Sequence, residues 1–183
     1  RTVLGDIDAG RLGRTDYHEH LLQDSPLLPG DELTDEAVSR REAELLVTAG
    51  IDAIIDATPI GLGRNPAAVA RISDATGLMV VATTGCHRSA HYAHAPWLLS
   101  LPTPVLASAM VRDIEHGIPT GDSEDPAPLT QHEGRPVRAG MLKVGVDYWR
   151  IDEFARRVID AIGTAHTVTG APVTVHLEHG SAA

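Results

Sequence analysis

The 183-residue chain has little cysteine, lysine or positive charge. Cys86 is its only cysteine, so no internal disulfide can form, and a reducing cytoplasm is the expected setting. A small buried apolar role suits that residue. Acids outnumber Lys and Arg by ten, for a formal net charge of −10. This argues against nucleic-acid binding, which relies on basic patches to displace counterions, and against docking on anionic membranes. Long hydrophobic runs are missing too. Segments such as residues 78–82 stop far short of the roughly 20 apolar residues of a membrane helix, and no basic-then-apolar export signal is visible. Of the 15 basic residues 14 are arginine, which leaves Lys143 as the only lysine.

A folded core is well provided for, since 43% of residues are hydrophobic and 22% charged. The patterning alternates between strand and helix. Strands are expected over 15–22, 51–57, 78–84, 137–146 and 172–177. A helix capped by Thr34 or Asp35 runs to about residue 49, with Ala37, Val38, Leu45 and Leu46 at helical spacing and Gly50 ending it. Asn65-Pro66 opens a second helix that Gly77 ends. Two more are expected over 103–116 and 152–169, the last ended by Gly170. Residues 87–104, rich in His, Pro and aromatics, and residues 117–136 read as long irregular segments.

Such alternation implies an α/β fold with a parallel sheet. An open doubly wound sheet usually carries a glycine-rich phosphate loop after its first strand. Here that strand runs into Glu19-His20-Leu21-Leu22-Gln23, so a (β/α)8 TIM barrel is favoured. A complete barrel takes about 250 residues. With five strands counted, the expectation is one domain over 1–183 holding the first five βα units and stopping after the fifth strand.

The chemistry-bearing residues fall at the strand ends. His18 and His20 are two apart, so a strand would turn both imidazoles to one face, toward the barrel interior. Two neutral imidazoles there suit zinc or a neighbouring transition metal. Lys143 sits in the otherwise apolar Ala139-Gly140-Met141-Leu142-Lys143-Val144-Gly145-Val146, where a buried ammonium is costly unless paired or deprotonated. Three readings are open: an ion-paired structural lysine, a Schiff-base nucleophile, or an amine carboxylated by carbon dioxide and bridging two metal ions. Arginine cannot lose its proton in this way, which gives the lone lysine its interest. His176 closes the fifth strand on the same face as Thr174; His179 falls on the other face or in the loop. His116 suits a helix C-terminus, His166 a helix surface and His132 a loop. The segment with His87, His91 and His94 reads as a pocket wall or lid, in which Arg88 and Tyr92 could orient a substrate.

Taken together, these segments resemble the phosphotriesterase-like family, in its lactonase branch, of the amidohydrolase superfamily. The matching stretches are Arg1-Thr2-Val3-Leu4-Gly5-Asp6-Ile7, His18-Glu19-His20-Leu21-Leu22, Asp56-Ala57-Thr58-Pro59-Ile60-Gly61-Leu62-Gly63-Arg64 and Leu142-Lys143-Val144-Gly145. Thr169-Gly170-Ala171-Pro172 and Val175-His176-Leu177-Glu178-His179-Gly180 complete the set, all in the family's order. The resemblance implies a binuclear metal hydrolase in which His18 and His20 bind the more buried ion. By the same correspondence, Lys143 is carboxylated and bridges both ions, and His176 binds the more exposed one. The ions would be divalent, zinc first, with manganese, cobalt or iron as alternatives, and a bridging hydroxide would attack a lactone, carboxylic ester, amide or phosphotriester. A small-molecule substrate and a homodimer are the implied partners.

Two departures from the family stand out. Its sixth-strand histidine and eighth-strand aspartate have no counterpart in these 183 residues, which leaves a catalytically incompetent fragment or binding module as the alternative reading. Gly85-Cys86-His87 stands where many relatives place aromatic residues, and this bears on substrate class.

Overall fold

A computed structural model describes residues 1–125 and 127–177. The chain runs β1 (Thr15–Glu19), α1 (Glu36–Thr48), β2 (Ala53–Asp56), α2 (Pro66–Thr76), β3 (Met79–Cys86), α3 (Trp97–Ser100) and α4 (Thr103–Glu115). There follow a two-residue-per-strand hairpin, β4 (Gln131–His132) and β5 (Arg135–Pro136), then β6 (Ala139–Val146), α5 (Glu153–Thr169) and β7 (Val173–Leu177). The long strands form one parallel sheet in the order β1-β2-β3-β6-β7. Strand and helix alternate as in a barrel, and the sheet is curled into about half of one.

The helix ends follow from local chemistry. The Asp35 carboxylate accepts the N–H groups of Ala37 and Val38, Asn65 accepts that of Ala68, and Asp152 accepts that of Ala155. Gly77 and Gly170 take the left-handed conformation that closes α2 and α5. The inner strands β2, β3 and β6 are largely apolar because they are covered: Ile54, Val80, Ala139 and Leu142 are fully buried. Among the described residues no helix is long and apolar enough to cross a membrane.

Three expectations are revised. β1 ends at Glu19 rather than residue 22, because its pairing with β2 slips between Asp16 and Glu19; Leu21 and Leu22 leave the ladder and are buried as a loop. In α1 the residues that go inside are Ser39 and Ala43, while Leu45 stays 61% exposed. The small pair lets the helix approach closely, and the Ser39 hydroxyl donates to the Leu21 carbonyl at 2.6 Å. Residues 87–104 are not irregular throughout, since they hold a 3-10 turn at Ser89–Tyr92 and the short α3.

A buried charge network joins the loop after β2 to α4. Arg64 donates to Asp113 at 2.9 Å and to Asp122 at 2.7 Å, and Asp122 also accepts the Gly61 N–H at 2.8 Å. Thr84 of β3 donates to the same Asp113. The loop bearing Thr58 is thereby anchored at its far end.

The close approach of β3 to β6 depends on Gly85, which pairs with Lys143. Its φ is +122°, and a Cβ there would overlap the Lys143 carbonyl oxygen. Gly85→Ala is expected to destabilise the fold by about 2–4 kcal/mol. Urea unfolding measures this, and a midpoint equal to the parent's would show that β3 and β6 tolerate separation there.

Candidate metal centre

A parallel sheet delivers all its strand ends to one side, and each strand here brings a polar residue to its C-terminal half. They are His18, Asp56, His87 just past β3, Lys143 and His176. β1 and β7 are the two edges of the sheet. Four strand spacings laid flat would separate them by roughly 19 Å. Instead the His18 and His176 rings lie 5.7 Å apart, and His18 and His20 lie 5.5 Å apart. Curling therefore brings the residues expected to cooperate, His18, His20, Lys143 and His176, into one cluster. His179 lies outside the described residues.

Lys143 is fully buried. Its Nζ donates to the Ala57 carbonyl at 2.5 Å, and among the described residues it forms no ion pair. The ion-paired reading is therefore not what the structure shows. Burial pushes the ammonium down to about 8, against a partial upward pull from the Asp56 carboxylate. Burial also lowers His18, and takes His20 down to about 3 with help from the Lys143 charge. Neutral imidazoles around an amine that can shed its proton make a donor set that suits a divalent cation. The residues fit.

Hydrogen-bond partners sort the remaining imidazoles. His87 Nδ1 accepts the Arg88 N–H at 2.8 Å, so that nitrogen carries no proton and Nε2 does. Arg88 Nη2 faces His91 Nε2 at 3.4 Å, so His91 carries its proton on Nδ1, against Ser25 at 2.8 Å. The His87 ring lies 3.9 Å from His91 and 4.4 Å from His176, which makes the pair a wall of the cluster. Burial lowers both, His91 to about 4.

Of the proposed substrate-orienting residues, Arg88 pairs with Asp147 at 3.3 Å at the edge of this wall. Tyr92 is fully buried, and its hydroxyl accepts the His87 N–H at 2.6 Å, so it braces the loop from inside. His94, by contrast, is exposed.

Sequence reasoning passed over two contributors. Asp56 and Thr58 supply no candidate ligand, yet His20 Nδ1 meets Thr58 Oγ1 at 2.8 Å and the Thr58 N–H donates to Asp56 at 3.1 Å. An acid inside an apolar strand was the available signal. A separate group, Asp74, His132 and Glu133, places its ligand atoms within 4.8 Å of one another. Asp74 is near the C-terminus of α2, which runs back to the end where the strands begin, so this group is remote from the cluster.

A half-barrel with its polar residues gathered at the C-terminal ends of the strands is built as barrel enzymes are, with the active site at that face. Comparison makes the assignment specific: the chain belongs to the phosphotriesterase family, whose model matches residues 1–183. It is 34% identical to a phosphotriesterase homology protein of Mycobacterium tuberculosis, over 98% of this chain and 54% of that protein. A phospho-furanose lactonase of Mycoplasmopsis agalactiae is 28% identical, over 100% of this chain and 53% of the relative. Among solved structures, a lactonase from Listeria monocytogenes superposes with a TM-score of 0.79 at 27% identity, covering 97% of this chain and 56% of the other. An organophosphorus hydrolase from Deinococcus radiodurans does so with 0.79 at 27%, covering 99% and 54%. The chain thus spans about half the length of the relatives it matches.

The buried lysine separates stability from function. Lys143→Met removes a buried charge that only a carbonyl oxygen and a nearby carboxylate compensate, at similar volume, so the metal-free variant is expected to unfold at the parent's urea midpoint or above it. A loss exceeding about 2 kcal/mol would mean that the ammonium itself holds the sheet together.

Proposed function

We propose that the protein is a metal-dependent hydrolase of lactones or carboxylic esters and amides, with phosphotriesters as a side activity. One observation carries this: two imidazoles from one edge of the sheet and one from the other meet around a fully buried lysine. The names of relatives, two of them lactonases and one an aryldialkylphosphatase, support the hydrolytic reading. His18, His20, Lys143 and His176 are the residues that would hold two divalent ions. When bound, such ions polarise a carbonyl or phosphoryl oxygen and make hydroxide available near neutral pH.

The remaining work belongs to side chains. Lys143, pushed down to about 8, has a reachable neutral amine. Its Nζ forms a bond to the carbon of carbon dioxide and releases one proton, giving a carbamate with two oxygens. The carbamate nitrogen keeps one N–H, which can go on donating to the Ala57 carbonyl. The neutral His87–His91 pair forms one wall of the cluster and adds no charge of its own there.

Purified without chelators and supplied with bicarbonate, the intact protein should contain about two divalent ions per chain. Lys143→Ala should lose both ions and at least about a hundredfold in lactone hydrolysis, and Lys143→Arg should not restore them. Elemental analysis, native mass spectrometry for the added carbon dioxide, and a lactonase assay read these outcomes. Metal-free parent protein, or an active alanine variant, would defeat the proposal.

A further inference from the structure

We propose that Asp74, His132 and Glu133 form a second metal site, a divalent-cation clip between α2 and the β4–β5 hairpin, remote from the strand-end cluster. Its ligand is Zn²⁺ or a neighbouring transition ion, with water completing the coordination. This site goes beyond the hydrolase reading and does not depend on it.

The distances within the group carry the assignment. His132 Nε2 is shielded from solvent and makes no hydrogen bond among the described residues. Asp74 Oδ2 stands 3.4 Å from it, yet the pair lacks hydrogen-bond geometry. A tetrahedral ion with bonds of about 2.0–2.1 Å holds two of its ligand atoms about 3.3 Å apart. The separation therefore suits two atoms on one ion better than a donor and its acceptor. Glu133 completes the set, since one ligand atom from each of the three residues lies within 4.8 Å of the others. Its side chain is exposed and free to rotate closer. An imidazole with two carboxylates is a mixed nitrogen and oxygen donor set, which favours Zn²⁺ over Ca²⁺ or Mg²⁺.

Charge points the same way. Asp74 lies in the last turn of α2, at the negative end of the helix dipole, and no basic residue shares that turn. The hairpin brings a second carboxylate to this place. Glu133 and Gly134 join β4 to β5 with φ of +49° and +76°, a turn whose first residue is usually Asn, Asp or Gly. Glutamate there strains the backbone and sets a like charge beside Asp74, a pairing that calls for a cation. The three residues line a cavity of about 160 Å³ with Val3, Leu4 and Arg135, which has room for an ion and its waters. Arg135, exposed and opposite His132 in the hairpin, is the competing cation. A bound ion ties residue 74 to residues 132 and 133, and so fastens a hairpin too short to be stable alone.

The test follows Zn²⁺ uptake by competition with a chromophoric chelator, and the His132 ring by ¹⁵N imidazole NMR. Asp74 and Glu133 are exposed, so this ion exchanges with solution and is added back after purification rather than carried through it. The parent is expected to take up one Zn²⁺ more than His132→Ala, with a shift at His132 Nε2. Lys143→Ala should retain this ion, which separates it from the strand-end centre. Glu133→Asn suits the turn and keeps the hairpin, yet should bind the ion at least about tenfold more weakly, the loss that even an outer partner of a ligand brings. Equal uptake and affinity in the parent and either folded variant, or an unmoved His132 Nε2, would overturn the inference. So would a Lys143→Ala protein that binds no Zn²⁺. A parent that binds a single ion, lost in His132→Ala and kept in Lys143→Ala, would support this site and count against the hydrolase reading alone.

Discussion

One buried amine, Lys143, sets the terms for the rest of the structure. Taking an ammonium out of water costs several kcal/mol unless something compensates. Here the compensation is a single carbonyl oxygen and a nearby carboxylate. Such an arrangement is a poor way to stabilise a sheet. It becomes intelligible if the group is there to lose its proton and be modified. The neighbouring imidazoles obey the same constraint, because burial that discourages a charged lysine also keeps His18 and His20 neutral.

The sheet's geometry supplies the rest. Parallel strands put every C-terminus on one side, and the curl converts lateral order into radial convergence. Without it, His18 on one edge and His176 on the other could not approach within 5.7 Å. Tight packing of β3 on β6 belongs to the same requirement. Gly85 lets the Lys143 backbone come close, and a Cβ at Gly145 would stand 2.8 Å from His87 Nδ1. Two glycines thus leave room for the lysine and the imidazole wall on adjacent strands.

Much of this was legible in the residues. Cap residues marked where α1, α2 and α5 begin, and alternation implied the parallel sheet. Two histidines two residues apart and a lysine in an apolar run pointed to residues that the curled sheet brings near one another. What could not be read were the features decided by tertiary neighbours. The slip in β1 depends on pairing with β2, and the inward face of α1 on which side chains were small enough. The meeting of His87 with His91 and His176 depends on a 3-10 turn folding back, which no periodicity announces. Thr58 was invisible for a related reason: a threonine after a strand is commonplace, and only its distance to His20 gives it a role.

These neighbours also explain how five imidazoles in one region can do different work. A histidine binds metal through a nitrogen that carries no proton, and its partner decides which nitrogen that is. At His20 the Thr58 hydroxyl meets Nδ1 at 2.8 Å. At His87 a backbone N–H occupies Nδ1 and leaves the proton on Nε2, which turns the ring into a donor. At His91 both nitrogens are engaged, by Ser25 and Arg88. Identical side chains within a few ångströms are thus given different surroundings by the atoms behind them.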